Sequence, residues 1–223
     1  MKICIVPARG GSKRLPRKNL LLFRGKPMVQ IALETAIDSG FFNKVVLSSE
    51  DPEILDVGYK MDSVEVLKRD SVLSEDEVRA DDVIRRVAKS LRLNDSDLVC
   101  CLLPTTPLLT VEVFRDALNS YSDNGVTFGV TKSLQTPYRS FIRESDGRLD
   151  SLFPEKLNDQ SNNYPETFND AGQFYIATKK VWDSNFSITA SAEVYGFELE
   201  IEKAIDINTP KDWKLLKQLE SNF

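Results

Sequence analysis

Short apolar runs alternate with helix-patterned segments along most of this 223-residue chain. No other feature constrains the fold as strongly. Residues 3–7, 44–48, 64–67, 97–103 and 126–131 have the length and composition of buried strands. Between them, residues 28–39, a segment opened by Pro52, residues 81–91 and residues 111–121 carry apolar side chains at helical intervals. Gly40 stops the first of these segments. Pro52 suits a first helical position, where its missing N–H costs nothing. The run 97–103 is almost continuously apolar, as a strand covered on both faces requires. Strands separated by helices predict βαβ units, and so an α/β fold with a doubly wound, mostly parallel sheet. In such sheets ligands sit beyond the carboxyl ends of the strands. That places the site just after Pro7, after Ser48, after Leu103 and near Thr131.

The pattern breaks between Leu134 and Phe168, where periodicity fades and Asn and Pro gather. A structureless loop of that length is unusual inside a compact domain. The segment at about 134–168 therefore reads as an inserted excursion with a task, a substrate lid or a dimer arm. Alternation returns at 172–178, residues 204–208 are extended, and a last helix starts near Lys211. With no internal repeat and no linker, residues 1–223 read as a single domain.

Composition removes several chemistries. The chain contains no histidine, which excludes Ser-His-Asp and Cys-His catalysis and histidine-based metal sites. Cys4, Cys100 and Cys101 lie in apolar strand-like runs, as buried thiols in a reducing compartment would. A net charge of −5 argues against non-specific nucleic-acid binding, so phosphate chemistry must rest on a local group of cations. The first apolar run ends at once in Arg9, Lys13, Arg14, Arg17 and Lys18, unlike a secretory leader. No stretch approaches the roughly 20 apolar residues of a membrane helix. A cytoplasmic protein is expected.

Those cations belong to the segment Pro7-Ala8-Arg9-Gly10-Gly11-Ser12-Lys13-Arg14-Leu15-Pro16-Arg17-Lys18-Asn19. Two glycines let backbone N–H groups approach a ligand, and Arg9 and Lys13 supply charge that phosphate oxygens accept. The spacing is neither that of a Walker loop nor that of a dinucleotide fingerprint. Read physically, it is either a phosphate loop after the first strand or a basic, solvated turn.

The same residues, VPARGGSKRLPRKN at 6–19, resemble the opening of the acylneuraminate cytidylyltransferase family. That family includes synthetases of CMP-sialic, CMP-legionaminic and CMP-pseudaminic acid. The resemblance continues through Gly25-Lys26-Pro27-Met28, Val45 to Asp51, Arg69 to Ser74, Pro104-Thr105-Thr106-Pro107-Leu108 and Asp206-Ile207-Asn208-Thr209-Pro210. It spans the chain in order. Leu103 and Leu109 depart from the sialic and legionaminic pattern, and Asp170-Ala171-Gly172-Gln173-Phe174-Tyr175 looks like the pseudaminic branch.

The resemblance implies a Rossmann-like nucleotide-diphospho-sugar transferase fold and a homodimer. It also implies a reaction in which the anomeric hydroxyl of a nine-carbon keto-sugar acid attacks the α-phosphate of CTP. Arg9 and Lys13 would hold the phosphates, and Ala8, Gly10, Gly11 and Ser12 would shape the loop. Asn19 and Arg69 would stand near the nucleotide. Arg139 would meet the sugar carboxylate, while Asp170 and Gln173 would meet its hydroxyl or amide groups; Gln173 equally suits a solvent-facing strand position. Asp206 and Asn208, two apart, suit Mg²⁺, or helix capping ahead of Pro210. Asn208 stands where the family usually has a second aspartate. Arg79 lies where relatives often carry small hydroxyl residues, and either adds a phosphate contact or blocks that geometry. No general base is evident. Two other readings remain: transfer to another acid sugar or from another nucleotide, and a non-catalytic sugar-nucleotide binder.

Overall fold

A computed structural model describes residues 1–70, 78–184, 187–190 and 193–220. Seven strands form the main sheet: β1 (Lys2–Pro7), β2 (Lys44–Ser49), β3 (Val64–Lys68), β4 (Leu98–Leu102), β5 (Val126–Lys132), β6 (Phe168–Thr178) and β7 (Val194–Glu198). Their order is β7-β5-β6-β4-β1-β2-β3. β1, β2, β3 and β4 pair in parallel, as do β5 and β7. β6 runs antiparallel to both of its neighbours.

The helices are α1 (Met28–Asp38), α2 (Pro52–Tyr59), α3 (Ala80–Ser90), α4 (Val111–Asn119), α5 (Lys179–Ser184) and α6 (Pro210–Glu220). Strand alternation sends Cys4, Val6, Cys100 and Leu102 into a core with α1, α2 and α4. It sends Ile3, Ile5, Val99 and Cys101 into a second core with α3 and α5. The sheet is thus covered on both faces, which is why β4 carries five buried residues in a row. A third, smaller cluster joins Leu15, Phe23, Met28 and Ile207 to Leu216 of α6. All three cysteines are free and buried. Burial pushes the Cys100 and Cys101 thiols well up, as expected for inert core thiols.

Three details differ from the pattern in the sequence. β6 starts at Phe168, earlier than the alternation suggests, because a register shift between Asp170 and Tyr175 disrupts it. β4 lies between one parallel and one antiparallel neighbour. β7 is short and largely exposed, and its apolar signal is correspondingly weak.

The 134–168 excursion holds a small hairpin, Phe141–Arg143 with Leu149–Ser151, and several 3₁₀ turns. Its interior is aromatic: Tyr138 stacks on Tyr164 and meets Phe153 edge-on, each with centroids 5.3 Å apart. Among the described residues no helix is long and apolar enough to cross a membrane.

Candidate active site

At the carboxyl end of β1 the Ala8 N–H donates to Ser48 O at 3.0 Å, extending the pairing with β2 by one step. The chain then turns away through the glycine loop. Two carboxylates at the end of β2 fix that loop. Gly10 N–H donates to Glu50 Oε1 at 2.8 Å. A Cβ on Gly10 would lie 2.2 Å from Asp51 Oδ2, so only glycine fits there without a shift. Asp51 also caps α2, accepting from Glu53 N–H at 3.0 Å and Ile54 N–H at 3.1 Å. Its other partner is the guanidinium of Arg17, which binds both carboxylate oxygens. Burial would raise the Asp51 carboxyl, but Arg17 and the helix N–H groups outweigh it and hold the group below its ordinary value.

Glu50 Oε2 in turn accepts from Arg69 Nε at 3.2 Å and Nη2 at 3.0 Å. The Arg69 side chain is only 6% exposed. Burial lowers its affinity for the proton, and Glu50 offsets part of that loss. A chain of carboxylates and guanidiniums thus ties the loop to the ends of β2 and β3.

Beside this frame lies a cleft of about 240 Å³. Arg9, Lys18, Asn19 and Arg69 line one part, Val78, Ala80, Val83 and Leu103 another, and Asp206 and Asn208 a third. Asn19, buried in a 3₁₀ turn, donates from Nδ2 to Arg9 O at 2.8 Å, while its Oδ1 has no partner among the described residues. A buried, unsatisfied acceptor is costly, and a donor arriving with a ligand would relieve it.

Asp206 accepts from Thr105 Oγ1 at 2.7 Å and from Asn208 Nδ2. Ile207 N–H donates to Thr105 O at 2.9 Å, docking the 205–208 segment on the turn after β4. Gly172, at φ +60°, passes so close that a Cβ there would stand 3.0 Å from Asp206 Oδ2. Burial raises the Asp206 carboxyl, against the pull of Thr105 and Lys18. Burial likewise lowers Lys18, with Asp206 working against it.

The predicted residues divide. Arg9, Asn19, Arg69, Asp206 and Asn208 meet at the cleft. Ala8 is fully buried, and Gly10, Gly11 and Ser12 form the loop, with Ser12 Oγ buried and without a partner among the described residues. Lys13 lies exposed on that loop and is not among the described residues lining the cleft. Arg139 is in the excursion, over the Tyr164 ring, donating to Asp159 O at 3.2 Å. Asp170 accepts from Tyr175 Oη and Gly172 N–H, both at 2.8 Å, and borders a separate cavity of about 440 Å³ with Phe128, Phe168 and Glu198. Gln173 is 1% exposed and donates to Lys203 O at 3.3 Å, so it does not face solvent. Arg79 reaches Asp81 Oδ2 at 3.3 Å and Ser187 Oγ at 2.7 Å. Of the block from Arg69 to Ser74, residues 71–74 lie outside the described residues.

Lys18, Thr105, Glu50 and Asp51 are parts of the site to which the sequence patterns assign no role. Each stands inside a block that resembles the family, and that was the available signal.

As donors for a divalent cation, Asp206 offers a carboxylate and Asn208 an amide oxygen. Mg²⁺ commonly takes one or two carboxylates together with substrate phosphates, so this pair meets the minimum. Among the described residues no group of three His, Cys, Asp or Glu side chains gathers.

Cations facing a carboxylate at the carboxyl edge of a doubly wound sheet define a ligand site suited to an anionic substrate, at the place where such folds bind their ligands. Comparison with known proteins makes the assignment specific. A family model described as cytidylyltransferase matches residues 3–222, and this chain belongs to that family. A pseudaminic acid cytidylyltransferase of Campylobacter jejuni is 34% identical, over 97% of this chain and 95% of the relative. A CMP-N,N'-diacetyllegionaminic acid synthase of Legionella pneumophila is 30% identical, also over 97% and 95%. The fold matches a solved CMP:2-keto-3-deoxy-manno-octonic acid synthetase complexed with CTP, at a TM-score of 0.70 and 15% identity, over 99% and 98% of the two chains.

Proposed function

We propose that this protein transfers CMP from CTP to the anomeric hydroxyl of a nine-carbon keto-sugar acid, pseudaminic acid, and releases pyrophosphate. The observation that carries the proposal is the convergence of Arg9, Lys18 and Arg69 with Asp206 in one cleft. In the reaction a bond forms between the anomeric oxygen and the α-phosphorus. The bond from that phosphorus to the pyrophosphate oxygen breaks, and the hydroxyl's proton is released to solvent. Such chemistry is mostly positioning and charge neutralisation.

The side chains fit those tasks. Arg9, Lys18 and Arg69, with Lys13 from the loop, neutralise the triphosphate. Asn19 Oδ1, without a partner among the described residues, accepts from a nucleotide N–H or O–H group. The apolar wall of Val78, Val83 and Leu103 excludes water from one side of the cleft. Mg²⁺, held through Asp206, would supply charge neutralisation at the phosphates when bound.

The sugar assignment rests on the relatives and on Asp170 to Tyr175. The acid would bind near Asp170, with Arg139 and Gln173 as further candidate contacts. Legionaminic acid is the second reading, favoured by the Legionella relative. The 134–168 excursion is proposed as a dimer arm or lid on the single 1–223 domain, supported by its exposed Leu134, Phe141, Ile142 and Leu149. The chain is proposed to work in the cytoplasm.

The direct test is pyrophosphate release with pseudaminic acid and each of CTP, UTP, GTP and ATP. CTP alone should support turnover. Turnover with GTP and none with CTP would overturn the assignment. Tight CTP binding with no release for any acid would favour a non-catalytic binder.

A further inference from the structure

Asn208 lies between two groups of opposite charge. Its Oδ1 accepts from Lys18 Nζ at 2.9 Å, and its Nδ2 donates to Asp206 Oδ2. The chemistry of the partners fixes which way the amide faces. An ammonium has donors only, and an ionised carboxylate has acceptors only, so turning the amide round would break both contacts.

The frame around it is fixed as well. Asn208 N–H donates to Asp212 Oδ2 at 3.0 Å, in the first turn of α6. Lys18 Nζ also donates to Ile207 O at 3.3 Å, and Ile207 is fully buried. Asp206 is held by Thr105 and packed over Gly172. A divalent cation on Asn208 Oδ1 would share that oxygen with an ammonium, and two cations on one neutral oxygen repel each other.

Resting on the function proposed above, we propose that Asn208 is a positioning residue and not a metal ligand. Its amide steers the Lys18 ammonium into the cleft and leaves Asp206, the one carboxylate among the described residues lining that cleft, for the cation that accompanies the nucleotide. Lys18 has three N–H donors, and among the described residues two are used, by Ile207 O and Asn208 Oδ1. The third is left for a phosphate oxygen. Nucleotide affinity through Lys18 and metal coupling through Asp206 then become separable.

The test is calorimetric titration of CTP into the full-length protein, once with EDTA and once with saturating Mg²⁺. The ratio of the two affinities measures metal coupling without any turnover. Asn208→Ala should weaken CTP about tenfold in both media, the scale of one lost charge-assisted contact, and leave the ratio unchanged. Asp206→Ala should collapse the ratio toward one. Asn208→Leu, of similar shape and with no polar side-chain atom, should weaken CTP in both media with the ratio unchanged, and serves as the check if the alanine variant folds poorly.

An Asn208→Ala protein that loses the ratio as Asp206→Ala does would make Asn208 a ligand and overturn the inference. So would one whose CTP affinity is unchanged in both media, or an Asn208→Leu protein that loses the ratio. A parent protein that binds no CTP in either medium would instead refute the functional reading, and this inference with it.

Discussion

Gly10→Ala should damage the protein, while the same change one residue later should not. A Cβ at Gly10 would lie 2.2, 2.8 and 2.9 Å from Oδ2, Cγ and Cβ of Asp51. Real Cβ atoms do not approach that closely, so something must move. Asp51 cannot retreat cheaply, because it caps α2 through two N–H groups and binds Arg17. The loop must move instead, straining the Gly10 N–H contact with Glu50. Overpacking of this kind costs about 1–3 kcal/mol. For a domain of this size each kcal/mol lowers Tm by roughly 2–4 °C, so a loss of about 2–12 °C is expected.

Gly11 supplies the control. No atom of the described residues lies within 4 Å of a Cβ built there, and its φ is not positive. Gly11→Ala should stay within about 0.5 kcal/mol of the parent, as exposed substitutions usually do. Thermal unfolding by circular dichroism and the half-saturating CTP concentration would be measured for both. Gly10→Ala should also raise the CTP requirement, since Arg9 and Asn19 are anchored to the same loop. Equal melting temperatures and equal CTP requirements for the two variants would refute the argument that Asp51 sets the loop.

Further predictions follow from the same frame. Glu50→Gln removes the counter-charge from the buried Arg69 guanidinium; it should cost about 1.5–3 kcal/mol in urea unfolding and weaken CTP, and an unchanged midpoint would refute the pairing. Asp51 titrates below its ordinary value in the fold, so its contribution to stability is present above the usual carboxylate range near pH 3.9 and is lost as pH falls through the depressed value. Asp51→Asn should therefore flatten the fall in melting temperature between about pH 5 and pH 2, and an acid limb identical to the parent's would contradict this. Lys13→Ala should lose most turnover and keep its melting temperature within the small range of surface substitutions, because Lys13 is exposed; normal turnover would remove Lys13 from the phosphate site.

The fold was readable where burial is two-sided. Runs such as Leu98–Leu102 and helices such as Ala80–Ser90 carry clear periodicity, and their order dictates βαβ winding. β7 was not readable, because a short edge strand exposes Val194 and Tyr195 and has little apolar signal. The bulge in β6 was hidden as well, since it arises where Gly172 makes room for Asp206, 34 residues further along the chain. The site was half legible. Arg9, Asn19, Arg69, Asp206 and Asn208 all reach the cleft that the motifs indicated. The carboxylate frame was not legible, because a motif names charged residues without saying which charges face each other. Glu50 and Asp51 take up the Gly10 N–H, Arg69 and Arg17, and that follows only from three strand ends meeting in space. Lys18 likewise needed its neighbour 190 residues away to show what it touches.

CMP transfer to pseudaminic acid creates a phosphodiester that can be watched as it forms. The protein would be incubated with CTP, Mg²⁺ and pseudaminic, legionaminic or sialic acid in separate reactions, and the phosphodiester product followed by ³¹P NMR. A CMP–sugar resonance and stoichiometric pyrophosphate are expected with pseudaminic acid, well ahead of the other two. A product formed with legionaminic or sialic acid and not with pseudaminic acid would contradict the sugar assignment. No phosphodiester with any of the three would contradict the claim itself.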